Sequence, residues 1–214
     1  TPNYPGCLDS FNHGTALVSV MAGLDNGHGV TGFAPNADVY ASGFSITGIV
    51  SWFDGVGYDI ETELPPGSII AVAIGTIGRL SGGSTGDDYG GLPVEAEGVV
   101  FRAFQTAAAN GITIVAGAGN GSINLDEPSV YFPFQTNVSQ NDSGSILVGA
   151  SFGNVGGTTY ASRPGNHRRP ENFNCGSRVN VFAWGGGVVS AGYPNPSGPF
   201  NWTSVPGYAD PPGN

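Results

Sequence analysis

Apolar residues along this chain gather into short unbroken runs, each bounded by glycine, proline or asparagine. Residues 68–74 (SIIAVAI), 112–118 (ITIVAGA) and 146–151 (ILVGAS) predict strands covered on both faces. Continuous apolar stretches of about four to eight residues are too short for most helices and lack the alternation of a half-exposed strand. Residues 38–44 (DVYASGF) predict a further short strand. Residues 178–183 (RVNVFA) alternate more and predict a strand nearer a sheet edge.

Helical spacing interrupts these runs twice. Residues 13–24 (HGTALVSVMAGL) set Leu17, Val20, Met21 and Leu24 on one apolar face, with Asn12 as the expected N-cap. Residues 95–110 (EAEGVVFRAFQTAAAN) predict a second helix, stopped by Gly111 at the position after its C-cap. Residues 1–11 are turn-rich, with no strand ahead of them, and no internal repeat is present.

Strands separated by helix-length segments predict an α/β fold, a parallel sheet flanked by helices with right-handed crossovers. A ligand site in such a sheet lies beyond the carboxyl ends of the strands. The loops 80–93 and 122–142 would embellish that rim. A length of 214 residues fits a single domain over residues 1–214, with 194–214 a Pro/Gly-rich terminal segment.

Composition narrows the function classes. Glycine (37 residues) and proline (16) are abundant enough for low-complexity disorder, but the bounded apolar runs argue for a folded chain. Lysine is absent, the six basic residues are all arginine, and the net charge is −10. This balance disfavours nucleic acid and anionic lipid as partners. No run approaches the roughly 18 apolar residues of a membrane span. No signal peptide stands at the start, as expected where numbering begins after processing. A nucleotide-binding reading fails too, because no strand runs into a glycine-rich phosphate loop.

Two cysteines, Cys7 and Cys175, permit one disulfide or two separate thiols. Glycosylation sequons begin at Asn120, Asn137, Asn141 and Asn201. Together they predict an extracellular location, secreted or at the cell surface.

Two strings carry the candidate chemistry. His13 opens the predicted first helix, where an imidazole meets the positive end of the helix dipole and is favoured in the neutral form a general base needs. Structural capping is the plainer role for such a histidine. Residues 13–40 also contain His13-Gly14-Thr15, Asn26-Gly27, Gly29-Val30, Gly32, Ala34-Pro35 and Val39-Tyr40. That succession resembles the histidine segment of subtilisin-like serine proteases. The second string, GITIVAGAGNGS at residues 111–122, is similar to the oxyanion segment of the same family. Its Asn120 could instead be an ordinary turn asparagine between glycines.

The resemblance covers about residues 13–193 and implies a subtilisin-like three-layer α/β/α fold, incomplete at both ends. It implies that His13 is the catalytic base and that Asn120 directs its carboxamide at the developing oxyanion. It makes Ala73, Ile74 and Gly75 the backbone that lies along an extended peptide or protein substrate. Gly117, Ala118 and Gly119 would form the facing wall of the specificity pocket. A glycan on Asn120 would remove the amide donor, so the sequon and the catalytic role conflict.

The family also uses an aspartate on a first strand and a serine at the head of a long helix. Asp9 has no apolar strand to hold it. Thr203-Ser204 lies in NWTSVPGYADPP, where Pro206, Gly207, Pro211 and Pro212 forbid the following helix. The expectation is therefore part of a secreted serine endopeptidase, inactive as this chain alone and completed by a second chain or by self-assembly. The alternative is a non-catalytic structural or surface-assembly protein that keeps the fold, so the sequence leaves enzyme status open. No cofactor is required; calcium is the metal that the loop of Leu24, Asn26, His28 and Val30 would take. Zinc is disfavoured because His13, His28 and His167 lack ligand spacing.

Overall fold

A computed structural model describes residues 5–41, 64–76, 91–126, 142–151, 173–185 and 188–191, with backbone alone for residues 5–12. The chain divides into two compact units, residues 1–40 with 189–214 and residues 41–188, and each is described by itself.

The first unit is organised by helix α1, Pro5–Ala22. It begins well before the expected start, so Asn12 is an interior residue and not the N-cap. Pro5 explains the earlier start, since proline's fixed φ and missing N–H suit the first helical position. The expected apolar face is only partly buried: Met21 is exposed and Leu24 lies beyond the helix end, also exposed.

The end of α1 is closed by the chain folding back on it. Gly23 N–H donates to Ser19 O at 3.0 Å, Phe33 N–H to Val20 O at 3.0 Å and Ala34 N–H to Met21 O at 2.8 Å. These bonds occupy carbonyls that a helix end otherwise leaves unpaired. The approach needs glycine at positions 23 and 32. A Cβ on Gly23 would meet Val30 O and lie 2.7 Å from Ser19 O, and one on Gly32 would lie 2.6 Å from Ala22 N. Ser19 Oγ donates to Ala16 O at 2.8 Å and accepts Ala191 N–H at 2.9 Å, which ties the returning segment to the helix. Residues 38–41 form no strand, contrary to expectation, and residues 42–44 lie outside the described residues. Tyr40 is largely exposed, and among the described residues no strand pairs with this segment to give it a ladder.

The second unit holds the parallel α/β sheet. Its strands are β1 (Ile69–Val72), β4 (Thr113–Gly117), β5 (Ile146–Ser151) and β6 (Val181–Trp184), in that order and all parallel. A two-stranded antiparallel ribbon of β2 (Gly75–Thr76) and β3 (Leu92–Pro93) stands apart from it. β6 closes one side of the described sheet, as its alternation predicted. β1 closes the other side and departs from expectation. Ile69 is 72% exposed, while Ile70 and Val72 pack against the core, so this run is covered on one face only.

Helix α2, Gly98–Ala109, connects the ribbon to β4 and buries Val100, Phe101, Phe104 and Ala107. Most of that stripe joins Ile112, Ile114, Ala116, Ala118, Leu147 and Val179 in the core. Burying one such large side chain contributes roughly 1.5–3 kcal/mol. The helix stops where the sequence predicts, with Gly111 at φ 76° after the Asn110 cap.

Its start differs. Val94–Ala96 form a separate 3-10 turn, and Glu97 is extended at φ −79° and ψ 123°. Two carboxylates account for the break. Glu97 accepts a hydrogen bond from Thr76 Oγ1 on the ribbon, and Glu95 is turned into the interior to meet Arg178. A continuous helix over 95–110 would have to give up those positions.

Candidate active site

The site candidates of the second unit collect at the carboxyl end of the sheet. β1 and β4 run in register up to Val72 opposite Ala116, and residues 73–75 and 118–120 follow the carboxyl ends of these two neighbouring strands. Gly75 then enters the ribbon opposite Pro93. Ala73 is exposed, whereas Ile74 packs against the core. Gly117 ends β4, Ala118 is buried within the core, and Gly119 turns the chain at φ 91°. Asn120 follows and is exposed.

The turn carrying Asn120 is held by a residue that sequence reasoning missed. Asn174 is fully buried. Its Nδ2 donates to Ala118 O at 2.8 Å and to Gly91 O, and its Oδ1 accepts Gly121 N–H at 3.0 Å and Ile123 N–H at 2.9 Å. Its own N–H donates to Gly119 O at 3.1 Å. The carboxamide therefore uses both hydrogens and both lone pairs on the backbone around Asn120. The neighbouring backbone continues the contact: Cys175 N–H donates to Ile123 O at 2.9 Å, and Leu125 N–H to Cys175 O at 2.7 Å.

Close packing fixes the turn from the other side. A Cβ on Gly91 would strike Gly121 Cα, and a Cβ on Gly119 would strike Gly91 O and lie 2.6 Å from Asn174 Nδ2. Gly91, Gly119 and Gly121 thus serve a three-way approach of backbone, side-chain amide and turn. In sequence Asn174 is one asparagine among many in a loop-like stretch. Its role depends on partners 51 to 83 positions away, which no local pattern encodes.

His13 belongs to the other unit. It is exposed and lies more than two helical turns inside α1. The expectation of a first-turn histidine is corrected, and the helix-end argument for it does not apply, because that field falls off within the first turn. Asp9 is also within α1, and Ser204 lies outside the described residues. So do Asn137, Asn141, Asn201 and His167.

Two further expectations meet the structure here. Cys175 is a free thiol, so the disulfide to Cys7 is not formed. An even count permits a bond but does not require one. In the loop of Leu24, Asn26, His28 and Val30, Asn26 Oδ1 accepts His28 N–H at 3.0 Å, and Gly27 and Gly29 adopt φ of 78° and 67°. Among the described residues no group of three or more histidine, cysteine, aspartate or glutamate side chains could hold a metal ion. No helix among them is long and apolar enough to cross a membrane.

The family model described as the subtilase family matches residues 3–186. Alkaline elastase YaB of Bacillus sp. (strain YaB) is 27% identical over 208 residues, covering 95% of this chain and 44% of that protein. Subtilisin DY of Bacillus licheniformis is 26% identical over 159 residues, covering 73% of this chain and 52% of that protein. The chain thus spans about half the length of these curated relatives.

Proposed function

This chain belongs to the subtilase family, and on that premise we propose that it forms part of a secreted serine endopeptidase. His13 takes the proton from a serine hydroxyl as it attacks the peptide carbonyl, then returns it to the leaving amine. Asn120 donates its amide to the oxyanion that forms. The orienting aspartate and the nucleophilic serine come from segments that complete the site, and this chain alone does not hydrolyse peptides. Residues 73–75 align the substrate backbone, and residues 117–119 bound its side chain. The hydrolysis needs no cofactor, although calcium on the Leu24–Val30 carbonyls and Asn26 would stiffen that loop.

The observation that carries this reading is the pairing of β1 with β4. It ends with Val72 opposite Ala116, from which residues 73–75 and 117–120 follow directly in the chain, and an exposed Asn120 on a turn braced from within supports the reading. Protein expressed from the complete gene should cleave an internally quenched peptide and react with a fluorophosphonate. Asn120→Ala should lower kcat by roughly 10²–10³-fold with KM little changed. A folded product that neither cleaves nor labels would favour the non-catalytic assembly protein.

A further inference from the structure

We propose that Asn174 is a positioning residue for catalysis, holding the turn from which Asn120 donates its amide; this rests on the oxyanion reading of Asn120. An oxyanion donor is effective because it is already aimed before charge develops, so nothing need reorganise during the reaction. The sequence around Asn120 works against that requirement. Gly117, Gly119 and Gly121 lose more conformational freedom on ordering than other residues do, so the turn is loose unless it is tied.

Asn174 ties it on both sides of the donor. Ahead of Asn120, Nδ2 holds Ala118 O and the Asn174 N–H holds Gly119 O. Behind it, Oδ1 holds the N–H groups of Gly121 and Ile123. The bond from Nδ2 to Gly91 O brings in the residue just ahead of β3 that packs against Gly121. Asn120 is thus the exposed residue between two clamped ones, free at its side chain and fixed at its backbone. Displacements of about 1 Å at a reacting group can cost on the order of 10²-fold in rate. Loss of the clamp is therefore expected to act on turnover before it acts on substrate affinity.

Aspartate and alanine at position 174 separate the parts of the clamp. Asn174→Asp keeps the acceptor for Gly121 and Ile123 but turns an oxygen towards the carbonyls of Gly91 and Ala118. Asn174→Ala loses every side-chain bond. Amide hydrogen exchange on the chain as it stands should accelerate about tenfold or more at Gly121 and Ile123 in the alanine variant, and less in the aspartate variant. Amides of α2 should be unchanged, and unchanged exchange at Gly121 and Ile123 would overturn the clamp. If the alanine variant fails to fold, the aspartate variant, compared with wild type, carries the kinetic test.

In protein from the complete gene, each variant should lower kcat with KM nearly unchanged. Combining either with Asn120→Ala should lower kcat no further than Asn120→Ala alone. Additive losses would show that Asn174 does not act through Asn120 and would overturn the proposal. If Asn120→Ala alone leaves kcat intact, the oxyanion reading and the catalytic role of Asn174 both fail. The exchange measurement would still report separately whether Asn174 holds the turn.

Discussion

Arg178 grips Glu95 with two guanidinium nitrogens, Nε at 2.9 Å from Oε1 and Nη2 at 3.0 Å from Oε2, and both side chains are buried. The pair is enclosed by further donors. Ser143 Oγ and Ser145 Oγ donate to Glu95 Oε2 at 2.5 and 2.6 Å, and Arg178 Nη1 donates to Asn180 Oδ1 at 2.7 Å. Asn180 Oδ1 also accepts Leu147 N–H at 2.8 Å, so the network joins the 3-10 turn to the beginnings of β5 and β6. Charges out of water persist only when their partners and remaining hydrogen-bonding sites are all supplied. This node aligns the strands from the end opposite to Asn120.

Breaking one half of the pair should be costly. Glu95→Gln and Arg178→Met are each expected to destabilise the second unit by about 3–5 kcal/mol, because each strands its buried partner. Chemical denaturation checks this, and combining Glu95→Leu with Arg178→Met should recover much of the loss. Equal destabilisation by single and double variants would refute the coupling.

The core predicts a contrast on either side of α2 and β1. Phe104 is wholly buried, so Phe104→Ala should cost about 3–5 kcal/mol. Ile69 is mostly exposed on the outer strand, so Ile69→Ser should shift stability by no more than about 0.5 kcal/mol. Urea midpoints measured side by side decide it; a large cost at Ile69 would mean that its face is covered in solution.

Two glycines of the first unit should respond to alanine for different reasons. Gly23→Ala forces a Cβ against backbone carbonyls that cannot withdraw, and should disrupt the return of residues 32–34 over the helix end. Gly27→Ala meets open space but sits at φ 78°, and should cost about 1–2 kcal/mol without displacing the turn. Amide chemical shifts of Phe33 and Ala34 distinguish a displaced turn from a merely strained loop.

The free thiol at Cys175 has a direct check. Alkylation of denatured protein without reductant should modify Cys175, and Cys175→Ser should leave the melting temperature unchanged in the presence or absence of reductant. Only the backbone of Cys175 pairs with Ile123 and Leu125. A melting temperature that falls on reduction would instead show a bond to Cys7.

Local pattern carried the architecture a long way. β5 spans the predicted residues, β4 lies inside the predicted run, and Gly111 ends α2 as expected. These features depend on a residue's neighbours: apolar continuity requires burial, and a positive φ calls for glycine. The string of residues 13–40 and that of residues 111–122 likewise sufficed to suggest the family, because both are contiguous.

Tertiary structure alone decided the rest. The break between the 3-10 turn and α2 depends on Arg178, 83 positions beyond Glu95 in the chain. One-sided exposure of β1 goes with its place at the outside of the described sheet, which apolar content does not specify. The bracing of Asn120 comes from a carboxamide whose partners lie at Gly91 and residues 118–123. Amphipathic period, turns and caps are short-range properties of the backbone and so can be read along the chain. Which buried polar group satisfies which other is a long-range matching problem, solved only when the strands have been brought together.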